Sequence, residues 1–70
     1  MITEEQELMM TLLIDCGLSK TNAALLTLTL ETNQNFAKMA EWLQSRRFKA
    51  SEQEMCNKVA DIAGYKRITE

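Results

Sequence analysis

The tract Leu25–Leu30, "LLTLTL", alternates apolar and polar side chains, which is the pattern of a half-buried β-strand. A strand needs a partner strand to satisfy its backbone hydrogen bonds, and no other segment of the 70-residue chain alternates in this way. In a helix, by contrast, the threonine hydroxyls can bond to the carbonyl group four residues earlier. The tract is therefore predicted to be helical.

Residues that begin and end helices divide the chain into four segments. The chain has no proline and only two glycines, Gly17 and Gly64, each of which stands where a helix is expected to end. Capping boxes, which begin helices, are formed by two pairs: Thr3 with Gln6, and Ser51 with Glu54. Together with the apolar spacing, these signals predict an all-α fold. We expect one domain over residues 1–70, a bundle of four short helices at about 3–16, 20–31, 34–46 and 52–63.

The second of these helices is expected at the centre of the bundle. Residues 21–30 carry no charge, and on a helix Leu26 and Leu30 would share one face while Leu25 and Leu28 cover another. A helix that is apolar on nearly all sides is typically buried on all sides. We therefore expect the other helices to surround it.

The composition argues against catalysis. The chain has no histidine, the commonest general base and metal ligand, and two glycines are too few for a phosphate-binding loop. Cys16 and Cys56 alone cannot supply the four ligands of a zinc site. We therefore predict a non-enzymatic chain that needs no cofactor and no metal. Both cysteines are expected to be reduced and packed as small apolar side chains.

Two features predict a cytoplasmic location without a membrane partner. The N-terminal stretch "MITEEQE" is acidic, whereas a secretory signal begins with basic residues. The longest uncharged run, Thr21–Leu30, is much shorter than the roughly 20 residues that span a bilayer.

Met10 and Ile14 form the first part of a candidate interaction surface. They fall outside the row of Leu8 and Leu12, so the first helix is apolar over a wide arc. Such an arc is either buried centrally or left as a patch that a second chain can cover. Both alternatives stay open at the level of sequence.

Trp42 and the basic residues Arg46, Arg47 and Lys49 form the second part of the candidate interaction surface. Tryptophan and arginine are the residue types that dominate binding hot spots. The alternative is a half-buried tryptophan at the edge of the domain with solvated arginines. Phe48, within the same stretch, is expected to be buried as a plug.

From Gly17 onward the chain resembles a winged helix-turn-helix DNA-binding domain. The segments "GLSKTNAALLTLTLET", "FAKMAEWL", "SEQEMCNKVADI" and "GYKRI" are similar to its first helix, second helix, recognition helix and wing. The resemblance implies phosphate contacts from basic residues: Arg46, Arg47, Lys49, Lys58, Lys66 and Arg67. Glu52 and Glu54 stand at the end of the recognition helix that enters the groove, where they would repel phosphate. The net charge is −2, so nucleic acid is the less favoured partner.

Residues 13–45 also resemble a ubiquitin-associated domain, a three-helix binding module. Gly17 and Leu18 stand near the position of its loop motif, and Trp42 and Leu43 are similar to part of its third helix. Cys16 replaces the methionine of the loop, and two extra residues before Trp42 rotate the helix face by about 200°. This resemblance implies binding to another protein, and it ranks below the DNA-binding one.

The sequence therefore predicts a small protein-interaction module or accessory protein. Its partner is expected to be another protein or a second copy of the chain. A helix-turn-helix-like nucleic-acid-binding domain is the alternative.

Overall fold

The computed structural model describes residues 2–64, which form four α-helices and no β-strand. The helices are α1 (Glu4–Asp15), α2 (Lys20–Leu30), α3 (Asn33–Ser45) and α4 (Glu52–Ala63). The predicted all-α fold is confirmed, and every predicted helix boundary lies within one residue of the observed one. Residues 65–68 of the predicted wing, with Lys66 and Arg67, lie outside the described residues.

Each helix begins at a hydroxyl side chain that accepts a hydrogen bond from a backbone N–H three residues later. Thr3 Oγ1 accepts from the backbone N–H of Gln6 at 3.1 Å, and Gln6 Oε1 accepts from the N–H of Thr3 at 2.9 Å. Ser51 and Glu54 make the same reciprocal pair at 3.1 and 2.8 Å. Both predicted capping boxes are confirmed. The helices α2 and α3 begin at single caps, Ser19 and Thr32.

The helices α1 and α3 end in the same hydrogen-bonded turn. After α1, Gly17 has a φ of 111°, and the N–H of Leu18 reaches back to the carbonyl oxygen of Leu13 at 3.2 Å. After α3, the N–H of Phe48 reaches back to the carbonyl oxygen of Leu43 at 2.7 Å. The residue that takes the place of the glycine is Arg47, whose φ is 55°. A side chain in this left-handed conformation costs about 1–2 kcal/mol.

The link between α3 and α4 leaves Phe48 exposed. This residue also has a positive φ, 59°, so two left-handed residues follow one another after α3. The side chain of Phe48 is 45% exposed and does not join the core. The expected burial of Phe48 is therefore wrong.

The helices pack in a closed cycle in the order α1, α2, α4, α3. Each helix contacts its two neighbours in this order, α2 also contacts α3 across the middle, and α1 does not approach α4 within the described residues. The core between them is built from ten buried apolar residues: Met9, Leu13, Leu18, Ala23, Leu30, Phe36, Met39, Leu43, Met55 and Val59. The helix α2 thus contacts all three of the other helices, but so does α3, so α2 holds no unique central position.

The helix α2 nevertheless buries only one side. Ala23, Thr27 and Leu30 face the core, and the Thr27 hydroxyl donates to the carbonyl oxygen of Ala23 at 2.8 Å, which satisfies its buried oxygen. Leu25 and Leu28 remain 57% and 62% exposed. The expectation that α2 is covered on all sides is therefore wrong. Because Ala23, Thr27 and Leu30 face inward, the apolar side of α2 that carries Leu25 and Leu28 stays in solvent.

We expect truncation of two leucines of α2 to change the stability by very different amounts. Leu30 is fully buried, so Leu30→Ala should lower the free energy of unfolding by about 2–5 kcal/mol. A core of this size rarely supplies more than roughly 3–5 kcal/mol, so this variant should be largely unfolded. Leu28→Ala should change the stability by less than about 0.5 kcal/mol. Urea unfolding followed by circular dichroism measures both values, and equal losses would contradict the described packing.

Candidate interaction surfaces

Exposed large apolar side chains are concentrated on the first two helices. Among the described residues, six large apolar side chains are exposed, and all except Phe48 lie between residues 2 and 28. Single exposed apolar residues are ordinary, whereas contiguous patches often mark binding sites. These residues therefore indicate a binding site only if they lie next to one another.

Four apolar residues line two grooves that share residues of α1 and the stretch before it, and a fifth lies one turn away on α2. A groove between the two helices is lined by Ile2, Met10 and Leu28, together with Gln6, Ala24 and Thr27. A second groove shares Ile2 and Met10 and adds Ile14. Leu25 lies one turn before Leu28 on the same side of α2. We call the set Ile2, Met10, Ile14, Leu25 and Leu28 the apolar face.

One acidic and one basic side chain line the apolar face, Glu7 and Lys20. The helix α1 carries four acidic residues and no basic one: Glu4, Glu5, Glu7 and Asp15. Glu7 lines the groove next to Met10 and Ile14. On α2 the only charged residue is Lys20, at its first position, which lines the same groove. The charges that line the face therefore cancel, and the groove that includes Leu28 is lined by uncharged residues alone.

Leu8 is exposed on a different side of α1. It lines a groove between α1 and α3, together with Met9, Leu12 and Phe36. Glu5, from the first turn of α1, lines this groove as well. Leu8 and Leu28 are almost equally exposed, 64% and 62%, but they belong to separate grooves.

Trp42 is the centre of a second surface, which we call the tryptophan cluster: Trp42 and Arg46 with Glu54 and Lys58 of α4. The guanidinium carbon of Arg46 lies 5.2 Å from the centre of the Trp42 ring, and Lys58 Nζ lies 5.9 Å from it. Arg46 also forms an ion pair with Glu54 at 2.8 Å. The indole is half-buried against the core. These contacts join α3 to α4, so the cluster has a structural role in the fold.

Glu54 carries a perturbed carboxyl group. Its pKa is lowered from its ordinary value, first by the hydrogen bond from the backbone N–H of Ser51 and then by the positive charge of Arg46. Partial desolvation acts in the opposite direction and is outweighed. The Glu54 carboxylate therefore supports both the start of α4 and the orientation of Arg46.

The six predicted surface residues separate into different regions. Met10 and Ile14 belong to the apolar face on α1 and α2, whereas Trp42 and Arg46 belong to the tryptophan cluster on α3 and α4. These two helix pairs are opposite edges of the helix cycle. Arg47 and Lys49 are exposed in the link after α3. A binding role for any of the six stays a prediction.

Sequence reasoning missed Ile2, Leu25 and Leu28 as surface residues, although the uncharged tract of α2 carried the signal. It also missed Lys58 as a neighbour of Trp42. That contact depends on how α3 and α4 pack, and no local pattern indicates it.

The two cysteines are free, as predicted. Cys16 is partly buried against the core, but Cys56 is exposed, so the expected packing of Cys56 is wrong. Partial desolvation raises the pKa of both thiols, including that of the mostly exposed Cys56, and the negative charges of Asp15 and Glu52 add to the effect on Cys16 and Cys56 respectively. Both groups therefore stay protonated at neutral pH, the less reactive form.

Within residues 2–64, no group of three or more His, Cys, Asp or Glu side chains is placed to hold a metal ion. None of the described helices has the length and apolar character needed to cross a membrane. Comparisons with models of protein families, with curated proteins and with solved structures find no match to this chain.

The lowered pKa of Glu54 predicts a specific loss of stability in acid. A carboxylate whose pKa is depressed by folding stabilises the fold above its unfolded pKa, about 4.3, and this contribution is lost as the pH falls through the folded value. Glu54→Gln keeps an acceptor for the N–H of Ser51 but cannot titrate. Between about pH 5 and pH 3, we expect the free energy of unfolding to fall more steeply for the wild type than for this variant. Urea unfolding across this range measures both slopes, and equal slopes would contradict the prediction.

Proposed function

We propose that this chain is a small protein-interaction module and that the apolar face is its docking surface. The observation that carries the proposal is that Ile2, Met10, Ile14 and Leu28 line two grooves that share residues, with the exposed Leu25 one turn before Leu28. Burying apolar surface contributes about 25 cal/mol per Å², so covering these exposed side chains favours binding to an apolar partner surface.

The apolar face is a better docking surface than the tryptophan cluster. The Trp42 ring already has Arg46 and Lys58 beside it, and Arg46 is already paired with Glu54. A partner would have to displace these contacts. Leu25 and Leu28, by contrast, are exposed without any such competing interaction among the described residues.

The alternative function, nucleic-acid binding through α4 and the basic link, is less well supported. Glu52 and Glu54 occupy the first turn of α4, where a recognition helix approaches phosphate groups. Arg46, one of the expected phosphate ligands, faces Glu54 instead. Because the N-terminal stretch is acidic and the longest uncharged run is short, we propose a binding role in the cytoplasm without catalysis. The absence of histidine from the whole chain supports a role without catalysis.

Two leucine variants test whether the apolar face binds a partner. The probe is a synthetic amphipathic helix of about five turns with leucines on one face and glutamines on the other. We expect Leu28→Gln to weaken its binding about tenfold or more, because one buried leucine contact is lost. Leu8→Gln is the matched control, equally exposed on a different groove, and should leave the affinity unchanged. Isothermal titration gives the affinities, and amide chemical shifts locate the contact.

The apolar face could also bind a second copy of the chain. Sedimentation equilibrium over a concentration series measures self-association, and Leu28→Gln should suppress any that uses the apolar face. If the chain remains monomeric and the amphipathic peptide does not shift the amide signals of Met10 and Leu28, the proposal is wrong. Binding to duplex DNA at low salt, with shifts confined to α4 and the basic link, would favour the alternative.

A further inference from the structure

We infer that the apolar face docks a second copy of this chain, in a two-fold symmetric dimer in which Glu7 of each copy pairs with Lys20 of the other. The inference rests on the proposed function and names the occupant of its docking surface. Its basis is the placement of one acid and one base towards the two ends of a single groove.

Glu7 and Lys20 lie towards opposite ends of the groove that contains Met10 and Ile14. Along α1 the lining residues run from Glu7 to Ile14, a span of seven residues or about 10 Å. Lys20 is the first residue of α2 and follows the turn that ends α1, so it stands at the Ile14 end. The groove is therefore uncharged in the middle, negative towards one end and positive towards the other.

Neither of these two charges is neutralised within the described part of the chain. Among residues 2–64, Glu7 and Lys20 form no ion pair with each other or with another side chain, and both are exposed. Between them, Ile14 is 38% exposed and Met10 is half-buried. Both ends and the middle of the groove are therefore accessible to a partner.

A two-fold axis makes this arrangement its own complement. In a symmetric dimer the same patch meets itself, so a contact from residue i to residue j of the second copy forms in the reverse direction as well. The axis lies next to Met10, about midway between Glu7 and Ile14. The two α1 helices are then antiparallel, and Glu7 approaches Ile14 and Lys20 of the second copy. Two equivalent ion pairs flank one shared apolar centre.

A partner of uniform charge matches this groove less well. A helix whose charges are all of one sign meets a like charge at one end of the groove, and an uncharged helix leaves both Glu7 and Lys20 unpaired. The adjoining groove with Leu28 shares Met10 and has an uncharged lining, so it adds apolar contact without favouring either sign. A second copy therefore satisfies the apolar and the charged parts of the surface together.

Reciprocal charge reversals test this inference. Glu7→Lys places a base at both ends of the groove and Lys20→Glu places an acid at both ends, so in either homodimer both pairs become repulsive. At low salt we expect the self-association of each variant to be weaker than that of the wild type by about tenfold or more. An equimolar mixture of the two variants should recover the association, because both pairs are attractive between unlike copies. Sedimentation equilibrium up to about 1 mM measures the wild type, each variant and the mixture.

Two controls isolate the charges at the groove. Glu5→Lys also reverses an acid in the first turn of α1, with a similar effect on the helix dipole and the net charge. Because Glu5 lines the groove next to Leu8, this variant should self-associate as the wild type does. Raising the salt from about 20 to about 500 mM should remove most of the difference between the wild type and each reversal, because exposed charges are then screened. Circular dichroism confirms that all variants fold.

The outcomes separate this inference from the proposed function. A wild type that stays monomeric up to about 1 mM would overturn the dimer, and the docking surface would stand if the amphipathic peptide still shifts the amide signals of Met10 and Leu28. A dimer whose affinity neither reversal changes, or a mixture that associates no more tightly than its separate variants, would also overturn the inference. If the chain is monomeric and the peptide does not bind, both proposals fail.

Discussion

The orientation of α2 depends on the burial of a single threonine. Thr27 can face the core because its hydroxyl donates to the carbonyl oxygen of Ala23, so no buried polar atom is left unsatisfied. With Ala23, Thr27 and Leu30 facing inward, the rotation of the helix is fixed, and the exposure of Leu25 and Leu28 follows from it. The interior of the bundle and its apolar face are therefore two results of one constraint.

Local signals were sufficient to predict the four helices from the sequence, whereas packing was not. The capping pairs Thr3–Gln6 and Ser51–Glu54 act over three residues, so sequence alone fixes where α1 and α4 begin. The side of α2 that faces solvent depends on how many helices are available to cover it. The position of Phe48 likewise depends on an unusual turn that carries Arg47 where glycine is common. Both features were predicted wrongly for this reason.

The candidate surfaces illustrate the same limit. Met10 and Ile14 could be identified from the wide apolar arc of α1. Leu25 and Leu28 of α2 could not, because an uncharged apolar tract is equally typical of a buried helix. The tryptophan cluster was identified through Trp42 and Arg46, but the contacts of Glu54 and Lys58 depend on α3 and α4 lying side by side. Those contacts lie at the surface and add little to the stability that the buried residues of α3 and α4 provide.

The helix cycle also has a consequence for assembly. Because α1 and α4 are diagonal and do not touch, the α1–α2 edge and the α3–α4 edge of the cycle have no helix in common. A polypeptide seated on one edge leaves the other accessible to solvent. Burial of Leu28 against another surface would therefore leave the Trp42 ring and its neighbours Arg46 and Lys58 as they are.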